Sequence, residues 1–322
     1  MDFEIGKIID IILERKARVI GLQFPEGLKR YGIGIAREIE KKSGVRVLIS
    51  GDPCYGACDL DLTMDADFLV HFGHSEIPEL STKNVYYIEV RSNIDVIPAV
   101  KKALKLLKGK KVGLITTVQH AHTLRKACME IESGEFECFI GKGDNRVKYP
   151  GQVLGCNFSA ARAVEVDEYL YIGSGNFHPL GVSLATGKRV VIADPYLNET
   201  RMPDSETIIK QRYAIISRAM SARTFCIIVC TKTGQQRMKR AEELKDTAQN
   251  EGYGAYIISL RDVTPSALCQ FPADTYVNTA CPRIAIDDIG SFKVPMLTPV
   301  EFEMVLGRRN LEHYEFDEFT CH

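Results

Sequence analysis

No run of 18 apolar residues free of charge occurs anywhere in the 322 residues, so no membrane span is expected. A surplus of one charge sign is missing as well. With 41 basic against 42 acidic side chains the formal net charge is -1, which gives no global field to draw nucleic acid or an anionic membrane. Residues 1–19, MDFEIGKIIDIILERKARV, lack the uninterrupted apolar core of a signal peptide. Acids and bases interrupt that stretch throughout, which predicts an amphipathic helix and a cytoplasmic chain. Low-complexity and Gly/Ser-rich linkers are absent too, although the length exceeds that of one common domain. Several tightly packed units are therefore expected.

What is present is cysteine, ten residues of it. In a reducing compartment structural disulfides are uncommon, which leaves packed thiols and metal ligands. Cys226 and Cys230 lie in RTFCIIVC, an apolar, β-branched run that reads as a buried strand. Cys128 and Cys138, in a helix-like and a strand-like stretch, are expected to be packed thiols. Cys269 and Cys321 have no supporting context. Cys54 and Cys58 begin a CxxxC, but Asp61 stands where a third cysteine would complete CxxxCxxC, so Cys54 is taken as a bystander.

Short β-branched runs alternate with amphipathic segments, the pattern of parallel strands joined by helices, so the fold class is α/β. Strands are predicted over 18–24, 45–50, 67–72, 85–90, 111–116, 168–172, 189–193, 224–230, 254–259 and 274–278. Helices are predicted over 25–41, 94–108, 119–132, 203–222, 235–248 and 299–306. The order repeats three times. A strand end, a polar turn with a glutamine (Gln23, Gln119, Gln235) and a helix come first; an acidic lead into a strand and a small-residue turn follow, from Asp65, Asp167 and Ala273. Three parallel-sheet α/β units are expected, 1–95, 96–205 and 206–322, arranged pseudo-symmetrically around a central site. Ligands of parallel sheets collect at the C-terminal ends of strands.

Cys58 in GDPCYGACDL, Cys156 in GQVLGCNFSAAR and Cys281 in NTACPRIAIDD each occupy a strand-end turn, one per unit. Three converging thiolates fit a 4Fe-4S cluster with its fourth iron open. Zinc, which accepts three protein ligands plus water in catalytic sites, is the competing reading. The cysteine loops supply no obvious second ligand type, which favours iron-sulfur.

Strings along nearly the whole chain then carry a resemblance: QFPEGLKRYG from Gln23, GDPCYGACD from Gly51, DADFLVHFGHS from Asp65, TTVQHAHTL from Thr116, GQVLGCNFSAAR from Gly151, YIGSGNFHPLG from Tyr171, ADPYLNE from Ala193, TKTGQQR from Thr231 and NTACPRIAIDD from Asn278. The sequence resembles the diphthamide-biosynthesis enzymes, the archaeal-type 2-(3-amino-3-carboxypropyl)histidine synthases. That resemblance implies a 4Fe-4S cluster on Cys58, Cys156 and Cys281, with S-adenosylmethionine as cosubstrate. It implies transfer of a 3-amino-3-carboxypropyl group to C2 of a histidine in translation elongation factor 2, a one-electron reductant and a homodimer. No nucleic-acid or membrane partner is expected.

Contacts to the cosubstrate are expected from three strand-end loops: Gln23, Pro25, Glu26 and Gly27; His71, Gly73, His74 and Ser75; Gln235 and Arg237. His74 or Gln235 is a candidate for the ligand's amino group or carboxylate, and Arg237 for the carboxylate. No catalytic acid or base beyond the cluster is required for the cleavage. His120 and His122 read as a packed or capping segment. Lys29, Arg30 and Arg283 are candidates for docking an acidic partner, and the basic run at 105–111 reads as a solvated face. A quinolinate synthase-like cluster lyase and a non-catalytic iron-sulfur or zinc protein are the alternatives.

Overall fold

The computed structural model describes residues 1–287 and 289–320. Cys321 lies outside them. Among the described residues the strands are β1 (Val19–Gln23), β2 (Arg46–Ile49), β3 (Phe68–Phe72), β4 (Val85–Ile88), β5 (Lys111–Thr116), β6 (Glu137–Phe139), β7 (Glu168–Ile172), β8 (Val190–Asp194), β9 (Glu199–Arg201), β10 (Thr224–Cys230), β11 (Gly254–Leu260), β12 (Thr275–Asn278) and β13 (Met296–Leu297). They form three sheets ordered β2-β1-β3-β4, β6-β5-β7-β8-β9 and β11-β10-β12-β13. Each sheet therefore repeats one connection, first strand outward to the second, then back across the first to the third and fourth. Every pairing is parallel except β8 with β9, an antiparallel strand added at one edge.

An aspartate marks the start of the third strand of each sheet. Asp67 accepts from the backbone N–H groups of Arg18 and Val19, Asp167 from those of Lys110 and Lys111, and Asp274 from those of Arg223 and Thr224. One carboxylate thus satisfies two donors that the adjoining first strand leaves without a ladder partner.

The expected helices at 25–41 and 119–132 each open with a 3-10 turn, Glu26–Tyr31 and Val118–Thr123, before continuing as α-helix. The helix Phe177–Thr186 was not among the predicted ones. It buries Pro179, Leu180, Gly181, Val182, Leu184 and Ala185, and a helix apolar on most sides shows no amphipathic period. Strands β6, β9 and β13, of three, three and two residues, are too short to show alternation.

Two elements join the sheets. Helix Ser205–Ala219 packs Ile208 and Ile209 on the core of the second sheet and Ile215 and Ile216 on that of the third. Its fully buried Arg212 is held by Glu301 and by the carbonyls of Ala285 and Met296, which pairs a charge too costly to leave alone in the interior. Phe316, far along the chain, packs edge-on against Phe158 in the second core. One expectation is corrected here: Cys128 and Cys138, taken as separate packed thiols, are joined as a disulfide between helix Leu124–Ser133 and β6. Parallel pairing of β6 with β5 sets the helix that leads into β6 directly beside it, a proximity that spacing did not reveal.

Candidate functional site

Each sheet reverses its strand order beside its first strand, and the loops beyond the C-terminal ends there are where open α/β sheets bind ligands. Cys58 lies between β2 and β3, and Cys156 between β6 and β7. Cys281 departs from this equivalence, for it follows β12, the third strand of its sheet, and precedes the short helix Pro282–Ile286. All three thiols nevertheless line one cavity of about 270 Å³, together with His74, His178 and Arg283.

The cavity is assembled by polar stitches between the sheets. Gly234 donates its N–H to the Cys58 carbonyl at 2.9 Å. A Cβ at Gly234 would lie 2.5 Å from both Cα and Cβ of Cys58, so only glycine allows this approach. Lys232 bridges Asp59 at 2.9 Å and Asp262 at 2.8 Å. Gln152 donates to Ser75 Oγ at 2.6 Å, and Gln119 to the Gly73 carbonyl at 2.7 Å. Arg146 reaches Glu79 and the Gly234 carbonyl.

A segment from beyond the third sheet closes over the Cys156 loop. Phe319 donates its N–H to the Cys156 carbonyl at 2.7 Å, and its own carbonyl accepts from Asn157 at 2.8 Å. The guanidinium groups of Arg146 and Arg237 lie 5.0 and 4.2 Å from the Phe319 ring centroid. Asp317 takes Arg237 in a two-pronged pair, and Glu318 takes Arg162 and the Phe158 N–H.

Burial pushes the Cys156 thiol up to about 12, with repulsion from Cys58 adding to it. Cys58 is raised by burial and Cys281 by burial and by its two neighbours. Three thiolates here are therefore unfavourable without a cation among them, which is the environment a multi-iron cluster neutralises. Gln235 donates to Cys58 Sγ at 3.4 Å, a bond of the kind that tunes cluster sulfurs. The donor set fits the group.

Among the described residues, the one set of three potential ligands within 4.8 Å of one another is Cys54, His71 and His74. His71 Nε2 and His74 Nδ1 sit 2.9 Å apart as a hydrogen-bonded pair, so their lone pairs meet a proton and do not converge on an ion. Cys58, Cys156 and Cys281 do not lie that close to one another, as suits a cubane cluster, in which each thiolate would bind a different iron.

The other expected contacts divide. His74 and Ser75 line the cavity itself. Pro25, Gly27 and Gly73 line an adjacent cleft of about 370 Å³, which shares His74 and Gln119 with it. Gly73 adopts φ +81 with Pro25 Cγ 2.9 Å from where a Cβ would stand. Gln23 and His71 are buried and bonded to each other, and Glu26 pairs with Lys29 in the open. Arg237 is occupied by Asp317 and the Thr279 carbonyl. His178, Gln152 and Arg146 were not anticipated. His178 lies in YIGSGNFHPLG and Gln152 in GQVLGCNFSAAR, so both stand in stretches that carry the resemblance, whereas Arg146 stands in none.

Fold and site together define a triplicated α/β protein with a thiol-lined chamber between its sheets. Residues 24–316 match the family described as "Putative diphthamide synthesis protein", and the chain belongs to that diphthamide synthesis family. It is 39% identical to the 2-(3-amino-3-carboxypropyl)histidine synthase of Pyrococcus horikoshii over 94% of this chain and 89% of that protein. Subunit 1 of the synthase from Encephalitozoon cuniculi is 32% identical over 97% and 91%. The crystal structure of Dph2 from Pyrococcus horikoshii with a 4Fe-4S cluster superposes with a TM-score of 0.92 at 37% identity, covering 99% of this chain and 94% of that one.

Proposed function

We propose that the protein is a 2-(3-amino-3-carboxypropyl)histidine synthase whose 4Fe-4S cluster is held by Cys58, Cys156 and Cys281. S-adenosylmethionine is the donor, and C2 of a histidine in translation elongation factor 2 is the acceptor. The observation that carries the reading is the meeting of three thiols, one from the loops of each sheet, in one cavity, in a chain matching synthases along nearly its whole length. When bound, such a cluster supplies one electron to a sulfonium, and which carbon–sulfur bond breaks depends on the carbon placed in line with it.

The chain's own residues set that placement. Gly234 admits the third sheet's loop against Cys58, and Gln235 holds the Cys58 sulfur. Phe319 pins the Cys156 loop from outside. His74 and Ser75 face the chamber, while Pro25, Gly27 and Gly73 shape the cleft beside it. The finer expectations of a cytoplasmic location, a homodimer and a one-electron reductant belong to the same reading, as do the units 1–95, 96–205 and 206–322.

Anaerobic incubation with dithionite, S-adenosylmethionine labelled in its amino-acid part, and elongation factor 2 tests it. Label on the factor and release of methylthioadenosine are expected. Absence of both refutes the assignment.

A further inference from the structure

Gln23, at the end of β1, is buried, and its amide has one permissible orientation. Its Nε2 faces the Asp59 carbonyl at 2.8 Å and its Oε1 faces the Asp61 N–H at 3.3 Å. Flipping the amide would set donor against donor and acceptor against acceptor. The same Oε1 lies 2.9 Å from His71 Nδ1, so that nitrogen carries a proton.

His71 is fully buried. Burial holds its pKa well below the usual histidine range, and the neighbouring His74 lowers it further, so the ring is neutral and its Nε2 is a bare acceptor. That Nε2 stands 2.9 Å from His74 Nδ1, which makes His74 Nδ1 the donor. Burial lowers the His74 pKa to about 4, so His74 is neutral too and its remaining lone pair sits on Nε2. Among the described residues no group hydrogen-bonds this nitrogen, and it is not sealed in the interior. His74 borders both the cysteine cavity and the adjacent cleft.

We propose that His74 Nε2 is the hydrogen-bond acceptor for the ammonium of the 3-amino-3-carboxypropyl group, with His71 and Gln23 as positioning residues that fix its tautomer. The proposal rests on the transfer reading above and deepens it. An acceptor nitrogen repels a carboxylate and attracts an N–H, so of the two roles open to His74 the ammonium contact is the one the network permits. Gln23 and His71, expected to touch the cosubstrate directly, act instead through His74.

Equilibrium dialysis of S-adenosylmethionine and of its desamino analogue against anaerobic, cluster-loaded protein measures the contact. The wild type is expected to prefer the amine-bearing compound on the order of tenfold to a hundredfold. His74→Leu should abolish that preference while leaving the analogue's affinity within about twofold. A preference that survives in His74→Leu overturns the assignment. A wild type that binds neither compound and releases no methylthioadenosine sinks the transfer reading, and the proposal with it.

The tautomer itself is readable without cluster or cosubstrate, by nitrogen-15 NMR of the seven histidines in the apoprotein. His74 is expected protonated on Nδ1, and protonation on Nε2 overturns the proposal independently of the transfer reading. Gln23→Leu should shift His74 toward the Nε2–H form. No such shift follows if Gln23 only fills space.

Discussion

The two ends of the three sheets obey different rules. At the N-terminal ends of the strands, Asp67, Asp167 and Asp274 perform the same task at equivalent positions, each bonding two backbone N–H groups. At the C-terminal ends the symmetry fails, for Cys281 follows a third strand whereas Cys58 and Cys156 follow second strands. In the third-strand turn of the first sheet, the position aligned with Cys281 holds His74. Equivalent positions carry the same residue where they hold the sheets together and different ones where the loops line the cavity. A threefold cradle with three identical grips would present the same surface three times, whereas an amino-acid ligand has an ammonium and a carboxylate to tell apart.

The largest effects should come from breaking the asymmetric end. Cys58→Ala, Cys156→Ala and Cys281→Ala are each expected to lose most of the cluster, read by iron content and visible absorbance, while Cys54→Ala keeps it. Full iron in any of the first three would remove that residue from the ligand set. Gly234→Ala comes next. Its Cβ has no room beside Cys58, so a loss of about 1–3 kcal/mol in denaturant titrations is expected, accompanied by a fall in iron.

Phe319→Ala keeps the backbone bonds to Cys156 and Asn157 but removes the ring on which Arg146 and Arg237 rest, so it should leave the three thiols in place and loosen the clamp over the Cys156 loop. Faster loss of iron to a chelator is the expected result, with a stability cost of about 3 kcal/mol, the low end for a buried phenylalanine. An unchanged release rate would show that the segment is only a cover. The smallest effects belong to the symmetric end, where Asp67→Ala or Asp167→Ala should lower the melting temperature by no more than about 2–4 °C and leave iron content unaltered.

These aspartates also predict a pH dependence. Bonds from the N–H groups of Val19 and Arg18 hold the Asp67 carboxyl below its ordinary 3.8, and the N–H of Lys111 does the same for Asp167. A depressed folded-state value stabilises the fold above 3.8 and is lost as pH falls through the lower value. Acid denaturation should therefore be shallower across that window in the two variants than in the wild type.

Much of the architecture was legible in the residues. The run TFCIIVC forms β10 over the expected 224–230, because a β-branched stretch buried on both faces needs no partner to declare itself. Cys58, Cys156 and Cys281 were identifiable as a group, since each stands in a turn after a strand and the order of elements repeats. What stayed hidden depends on contacts across the molecule. Nothing near Arg237 in the sequence announces Asp317, 80 residues away, as its partner. Gln152 and His178 join the cavity through sheet packing, and no spacing rule connects them to it. The tautomer of His74 is set by Asp59 and Asp61 through the Gln23 amide and the His71 ring, a relation that only coordinates reveal.

Asn157 and Phe319 are 162 residues apart and share one hydrogen bond. During translation, then, the loop that carries Cys156 leaves the ribosome long before the residues that clamp it exist. Its first two sheets can fold in that interval, but the metal pocket cannot be finished. On the proposed ligand set, loading of the cluster is expected only after synthesis of the clamp.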